Sequence, residues 1–159
     1  RRYYSSTNSI KHKTMTAIVT TIKNAVKAKL ETLIPTTLGQ VIVDDFKQSN
    51  FSYKDIGAYP AAIVSSPAID GAAETNRDNL RSHTFVIGIV QKGENVTSAN
   101  DIEELMEKIL NAFDEDPTLG GVANGGCDPS SSTPEAISSV DGSFVVFTVT
   151  LKAKAIKSI

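Results

Sequence analysis

Between Asn76 and Gly126 the hydrophobic period of the chain changes once, and that change limits what the chain can fold into. Phe85, Ile87 and Ile89 alternate as in a β-strand, whereas Ile102, Leu105, Met106, Ile109, Leu110 and Phe113 recur at helical spacing. A short polar link, Gln91 to Ala99, joins the two, and a Gly-rich stretch follows. A strand leading so directly into a helix buries both stripes when the helix lies back on the sheet. The strand, read from Arg77 to Val90, is polar on both faces in its first half and apolar on both in its second. That asymmetry predicts an outer part reaching beyond the core and an inner part buried under helices. The helix, expected from about Asn100 to Phe113, has Ser98 or Asn100 to cap its first amides, with Asp101, Glu103 and Glu104 where the helix dipole favours acids. Its outward face, Glu103, Glu107, Asn111 and Asp114, reads as an ordinary solvated surface.

The rest of the chain fits around this unit. From Thr16 to Leu33, Ile18, Ile22, Ala25, Val26, Leu30 and Leu33 share one face of an amphipathic helix, which Pro35 ends near Ile34. Gly39 to Phe46 and Pro60 to Ser65 read as short strands, separated by a loop or a poorly ordered hairpin from Lys47 to Ala58. Pro67 to Glu74 is small and flexible in composition, and Asp116 to Pro134, rich in Gly, Pro and Ser, reads as a long loop. Ala136 to Val140, the pair Asp141-Gly142 and the run from Ser143 onward spell a hairpin, because Asp-Gly supplies the positive φ that tight turns need. Its second strand places Val145, Phe147, Val149, Leu151, Ala153 and Ala155 on one face, with Thr148, Thr150, Lys152 and Lys154 on the other. The expectation is an α+β domain: an antiparallel or mixed β-sheet with two helices packed on one face, in the order α-β-β-β-α-β-β. It spans residues 15–159, after a basic N-terminal extension, 1–14.

Charge narrows the partners. Sixteen Lys and Arg oppose eighteen Asp and Glu, but Arg1, Arg2, Lys11 and Lys13 all precede Met15 with no acid among them. With those four set aside, twelve bases face eighteen acids, a poor surface for gripping nucleic acid through its bulk. Two readings of residues 1–14 stand: a tail from sequence upstream of a start at Met15, or a basic arm that orders on a partner. No apolar run approaches the ~18 residues of a membrane span. No secretory leader is legible, and the single cysteine, Cys127, fits a reducing cytoplasm.

Chemistry-bearing patterns are few. His12 and His83 are the only histidines, and neither has His or Cys at the spacing of a structural zinc site. Asp114, Glu115 and Asp116 meet Pro117 where a calcium loop needs an acceptor. Gly120-Gly121 and Gly125-Gly126 lack the Lys-Ser/Thr of a phosphate loop, since Cys127-Asp128-Pro129 follows. Cys127 has no His partner legible in the sequence and is a poor nucleophile candidate. Asn50-Phe51-Ser52 and Asn95-Val96-Thr97 fit the glycosylation pattern, which is short enough to arise by chance. Arg77, Asp78, Arg81 and His83 form a polar strip that reads either as a subunit interface or as a solvated strand end. Lys152, Lys154 and Lys157 read either as protection for an edge strand or as a surface meeting a partner or channelled DNA. The sequence implies no catalytic residue, no cofactor and no metal.

Taken together, Tyr59 to Val64, the long strand from Glu74 through Arg77-Asp78-Asn79-Leu80-Arg81 to Val90, the helix ending Ala112-Phe113-Asp114-Glu115-Asp116-Pro117-Thr118-Leu119-Gly120-Gly121, and the closing strand Phe144 to Leu151 resemble the tail terminator, or tail completion, family of long-tailed bacteriophages. The likeness covers most of Met15 to Ile159 and lies in element order and texture; the extension before Met15 departs from the family pattern. It implies a virion protein without catalytic activity, made in the host cytoplasm, that forms a homo-oligomeric ring, usually a hexamer, at the head-proximal end of the tail tube. The implied partners are the tail tube protein, a head completion or neck protein, and genomic DNA passing through the ring, with no membrane. Two other readings are a neck or head-to-tail connector and a monomeric binding module.

Overall fold

A computed structural model of the chain describes residues 18–43, 53–65, 68–73 and 78–158. The basic segment 1–14 and Arg77 lie outside them. The elements run α1 (Ile18–Glu31), β1 (Gln40–Val43), β2 (Ala61–Val64), β3 (Ala68–Ala73), β4 (Asp78–Lys92), α2 (Ala99–Asp114), β5 (Gly126–Ser131), β6 (Glu135–Ser139) and β7 (Gly142–Ser158). The α+β class stands.

The sheet is built on one long ladder. β4 and β7 pair antiparallel from Asp78 opposite Ser158 to Lys92 opposite Phe144. Each then carries two short strands end to end on its far edge: β3 and β2 along β4, β5 and β6 along β7. β1 joins β2 in parallel, so the sheet is mixed. Where β1 begins, Gly39 donates its amide to the Pro60 carbonyl at 2.7 Å, and a Cβ there would stand 2.8 Å from the Tyr59 backbone, which excludes other residues. Between β6 and β7, Gly142 turns the chain at φ 127°.

β3 and β5 correct the reading of residues 67–74 and 116–134 as flexible or looped. Their small and turn-forming residues give no apolar alternation, but β4 and β7 offer a continuous backbone template, and pairing needs no particular side chain. Pro129 is tolerated because β5 is an edge strand. Beyond β5, Ser132 donates its amide to the Thr148 carbonyl at 2.9 Å, and the next described pair is Glu135 with Val146. One more residue is used on the edge than on β7, which makes a bulge that holds Pro134.

Both helices lie on one face. Ile22, Val26 and Leu30 of α1 and Ile102, Leu105, Ile109 and Phe113 of α2 share a core with Ala62, Val64, Phe85, Ile87, Ile89, Phe147, Val149 and Leu151. α2 starts where the sequence predicts: the Asp101 carboxylate accepts from the Thr97 amide and hydroxyl, each at 2.8 Å, and from the Ser98 amide at 3.2 Å. Those bonds, with Thr97 first, hold the Asp101 carboxyl below its usual range.

Candidate assembly surface

Strand alternation gives the sheet two unlike faces. Odd positions of β4 and β7, from His83 to Ile89 and from Phe147 to Ala155, are buried on the helix side. The even positions lie outside the helix-side core. Val86 is 40% exposed and Ile156 42%, Gly88, Thr148 and Thr150 are half-buried, and Lys152 is exposed.

The end of this second face nearest the β6–β7 turn has a small core of its own, made by Ile56, Ala61, Val90 and Phe144 with Ile42, Tyr59, Ile63 and Val146 around it. The rings of Tyr59 and Phe144 stack with centroids 6.0 Å apart, and the Lys92 ammonium stands 5.4 Å from the Tyr59 ring centre. Burial, and then the Asp141 carboxylate, push the Tyr59 hydroxyl up. Next to this cluster the face is open. Gly88 supplies no side chain, and a hollow of about 580 Å³ lies among Ile63, Val90, Val146, Thr148 and the 132–135 link. The apolar-on-both-faces half of the long strand predicts burial under helices; the helix-side core takes one face only, and the hollow lies on the other. No spacing rule named Gly88 as its floor, because the walls come from β2, β7 and the bulge.

The predicted interface strip divides. Asp78 opens β4 opposite Ser158, outside the residues whose side chains are described. Arg81 is exposed at the end of the ladder, opposite Ala155. His83 is corrected: it is 2% exposed, so it is neither a surface residue nor open to a neighbouring subunit. Its place on the helix side of β4, in register with small Ala153, puts it inside, and neither ring nitrogen has a hydrogen-bond partner among the described residues. Burial, and then the Arg81 charge, lower its pKa.

Register also brings Cys127 into this row, since Ala153 pairs with His83 on one side and with Cys127 on the other. Sequence spacing could not reveal that alignment. Cys127 is buried, and burial together with Asp116, Asp128 and Asp114 pushes its thiol up to about 11. Ala153 stands between the two, so the imidazole and the thiol lie two strands apart, about 10 Å at the usual strand spacing.

The predicted basic patch is weaker than its three lysines imply. Lys152 and Lys154 lie on the open face, but Lys154 is bound to Asp128 at 3.3 Å. Lys157 pairs with Asn79 and lies outside the described side chains. Among the described residues no three His, Cys, Asp or Glu side chains stand together as a metal site, and no helix is long and apolar enough to cross a membrane. No protein-family model matches this sequence, and no curated protein matches it.

Proposed function

We propose that this chain is a structural virion protein that forms a ring capping the head-proximal end of a bacteriophage tail tube, stopping tube growth and joining tail to head. The resemblance in element order motivates the reading, and one observation supports it above the others. The sheet is sealed by helices on one side and open on the other, with exposed Val86 and the Gly88 hollow.

Two unlike faces on one chain suit a heterologous contact, in which the same pair of surfaces repeats from copy to copy and closes when the rotation is right. In such a ring the open face of one copy packs on its neighbour. One ring surface repeats the stacking surface of the tube, and the other lacks it, so the next tube layer has no template. DNA passes through the centre without sequence-specific contacts, in keeping with a chain whose bulk is acidic.

Light scattering and electron microscopy test this directly. The purified chain is expected to form rings, and the rings to cap tail tubes added to them. Val86→Arg puts a charge on the open face without entering the core, and it is expected to reduce the ring to monomers while leaving the thermal midpoint of the monomer within a few degrees. A wild-type chain that stays monomeric at high concentration and leaves tubes uncapped overturns the proposal.

A further inference from the structure

The pairing of β5 with β7 starts at Gly126 opposite Lys154, and a side chain carries it further. Gly125 donates its amide to the Lys154 carbonyl at 2.9 Å. Asn124 then meets Ile156 with its carboxamide: Oδ1 accepts from the Ile156 amide at 2.7 Å, and Nδ2 donates to the Ile156 carbonyl at 3.3 Å. The carboxamide takes the part that a peptide unit of a longer β5 would play, and among short side chains only that of Asn offers an amide donor and acceptor together. Gly125 is fixed as firmly, because a Cβ there would lie 2.9 Å from the Lys154 Cβ and 3.1 Å from its carbonyl oxygen. Leu119 and Ala123, both buried in the main core, anchor the loop that carries the pair.

These requirements create the one Asn-Gly pair of the sequence, and both residues are exposed to water. Asn followed by Gly is prone to cyclise, since no side chain shields the glycine nitrogen and the glycine backbone turns freely. We propose that Asn124-Gly125 is a self-modification site, gated by the hydrogen bonds that the same two residues make to β7. When the loop lifts, the Gly125 nitrogen bonds to the Asn124 Cγ and the Cγ–Nδ2 bond breaks. The Gly125 proton leaves with the Nδ2 amine as ammonia. Water, the only co-reactant, then opens the cyclic imide at either carbonyl, giving aspartate or isoaspartate at position 124. While the loop is closed the site is doubly protected: the Gly125 hydrogen is committed to Lys154 and the Asn124 carboxamide to Ile156. After conversion Nδ2 is gone, so the Ile156 carbonyl has lost that donor and faces a carboxylate. A transient opening beside the end of β7 is thereby made permanent. The inference does not depend on ring formation.

The test incubates the full chain at pH 8, native or in urea, and follows every Asn by digestion and mass spectrometry, with aspartate and isoaspartate separated by chromatography. In urea, Asn124 is expected to convert faster than any other Asn. In the native chain its conversion is expected to be slower by roughly tenfold or more, as a site reached only through local opening requires. Ile156→Pro removes the donor to Oδ1 and is expected to raise the native rate several-fold. Should that variant not fold, amide exchange at Gly125 of the wild-type chain serves instead: as urea is raised below the unfolding transition, exchange and conversion are expected to rise in step. Asn124→Asp, one of the two products, is expected to speed exchange at Gly125 and leave Ile89 in the core unchanged, which separates a lifted loop from a general loss of stability. Equal conversion in native and unfolded chains, another Asn converting first in urea, a folded Ile156→Pro with the wild-type rate, exchange and conversion out of step, or an Asn124→Asp chain whose exchange at Gly125 is unchanged or rises equally at Ile89 would each overturn the inference.

Discussion

Phe85 and Val86 are adjacent in β4, yet one is fully buried under the helices and the other is 40% exposed on the open face. The contrast separates two kinds of interaction surface in a single sheet. The helix side is filled by large side chains from α1, α2, β2, β4 and β7, so the folding energy is concentrated there. The open side pairs small residues and threonines with a hollow, so much of its apolar surface remains unspent after folding. Since side chains alternate, a slip of one residue in the β4–β7 register would exchange the two roles, which is why the pairing has to be specified over its whole length.

The largest expected effect comes from the covered side. Phe85→Ala should lower unfolding stability by about 3–5 kcal/mol, the usual result of emptying an aromatic site in a packed core. Val86→Ala, one residue away, should stay within about 0.5 kcal/mol. Urea denaturation with unchanged slope checks both, under conditions where the protein is monomeric. Comparable losses at the two positions would mean that the open face is already covered within the chain, and the distinction between the faces would collapse.

The covered side also contains a polar group in an apolar place. His83 is buried with both nitrogens unpartnered among the described residues, and its pKa is lowered first by burial and then by Arg81. An unfolded imidazole takes up a proton near pH 6.5, whereas the folded one resists it, so the unfolded state binds more protons as pH falls. Stability is therefore full above about pH 6.5 and declines as pH drops toward the lowered folded value. His83→Leu should flatten that decline and raise stability by about 1–3 kcal/mol, the cost of an unsatisfied buried polar group. Thermal melts from pH 7.5 to 5 decide it. A variant with the same acid slope as wild type would place the sensitivity elsewhere.

These two sites also show which parts of the fold were legible. Phe85, Ile87 and Ile89, followed by the α2 stripe, announced the covered face, because burial against helices imposes period two and then period 3.6. The hairpin was plain too, but its turn sits one residue earlier than Asp141-Gly142: the loop is Val140-Asp141, and Gly142 is already paired with Ser139. β3 and β5 were hidden: Ala-Ile-Asp-Gly-Ala-Ala and Gly-Cys-Asp-Pro-Ser-Ser have turn-like composition, and they are strands because a long neighbour pairs with them. The position of His83 was hidden for a related reason. A polar residue near a polar strand end reads as surface until register sets it opposite Ala153, in the row that also holds Cys127. The open face was not legible: apolar residues on both sides of a strand predict cover by helices, whereas the helix-side core takes Phe85, Ile87 and Ile89 and leaves Val86 40% exposed.

Cys127 extends the comparison to reactivity. Its thiol is pushed up to about 11, so at pH 8 the folded chain keeps it protonated and enclosed. A disulfide reagent should modify it slowly in the native protein and rapidly in urea, followed by absorbance. The sign for stability is opposite to that of His83. The unfolded thiol ionises near pH 8.5 and the folded one does not, so stability present below that pH is lost as pH rises toward 11. Rapid modification of the native chain would show that this end of the covered face opens easily.

The smallest effect belongs to the open face. Lys154 and Asp128 meet at 3.3 Å across β7 and β5, but the lysine side chain is 34% exposed and the aspartate 75%. Water and salt screen such a pair, and ordering two side chains offsets much of the attraction, so Asp128→Asn should cost about 0–1 kcal/mol, and less in 0.5 M salt than in 0.05 M. The same change frees the charge of Lys154 beside Lys152 and makes this part of the open face more positive. If the face packs on a neighbouring copy, ring stability should therefore respond to Asp128→Asn more strongly than monomer stability does, and the response should shrink with salt. Dilution of rings followed by light scattering measures the first quantity, and urea denaturation of monomers measures the second. Equal responses would mean that the Lys154–Asp128 pair acts only within the chain, leaving Val86 and the hollow to carry any contact between copies.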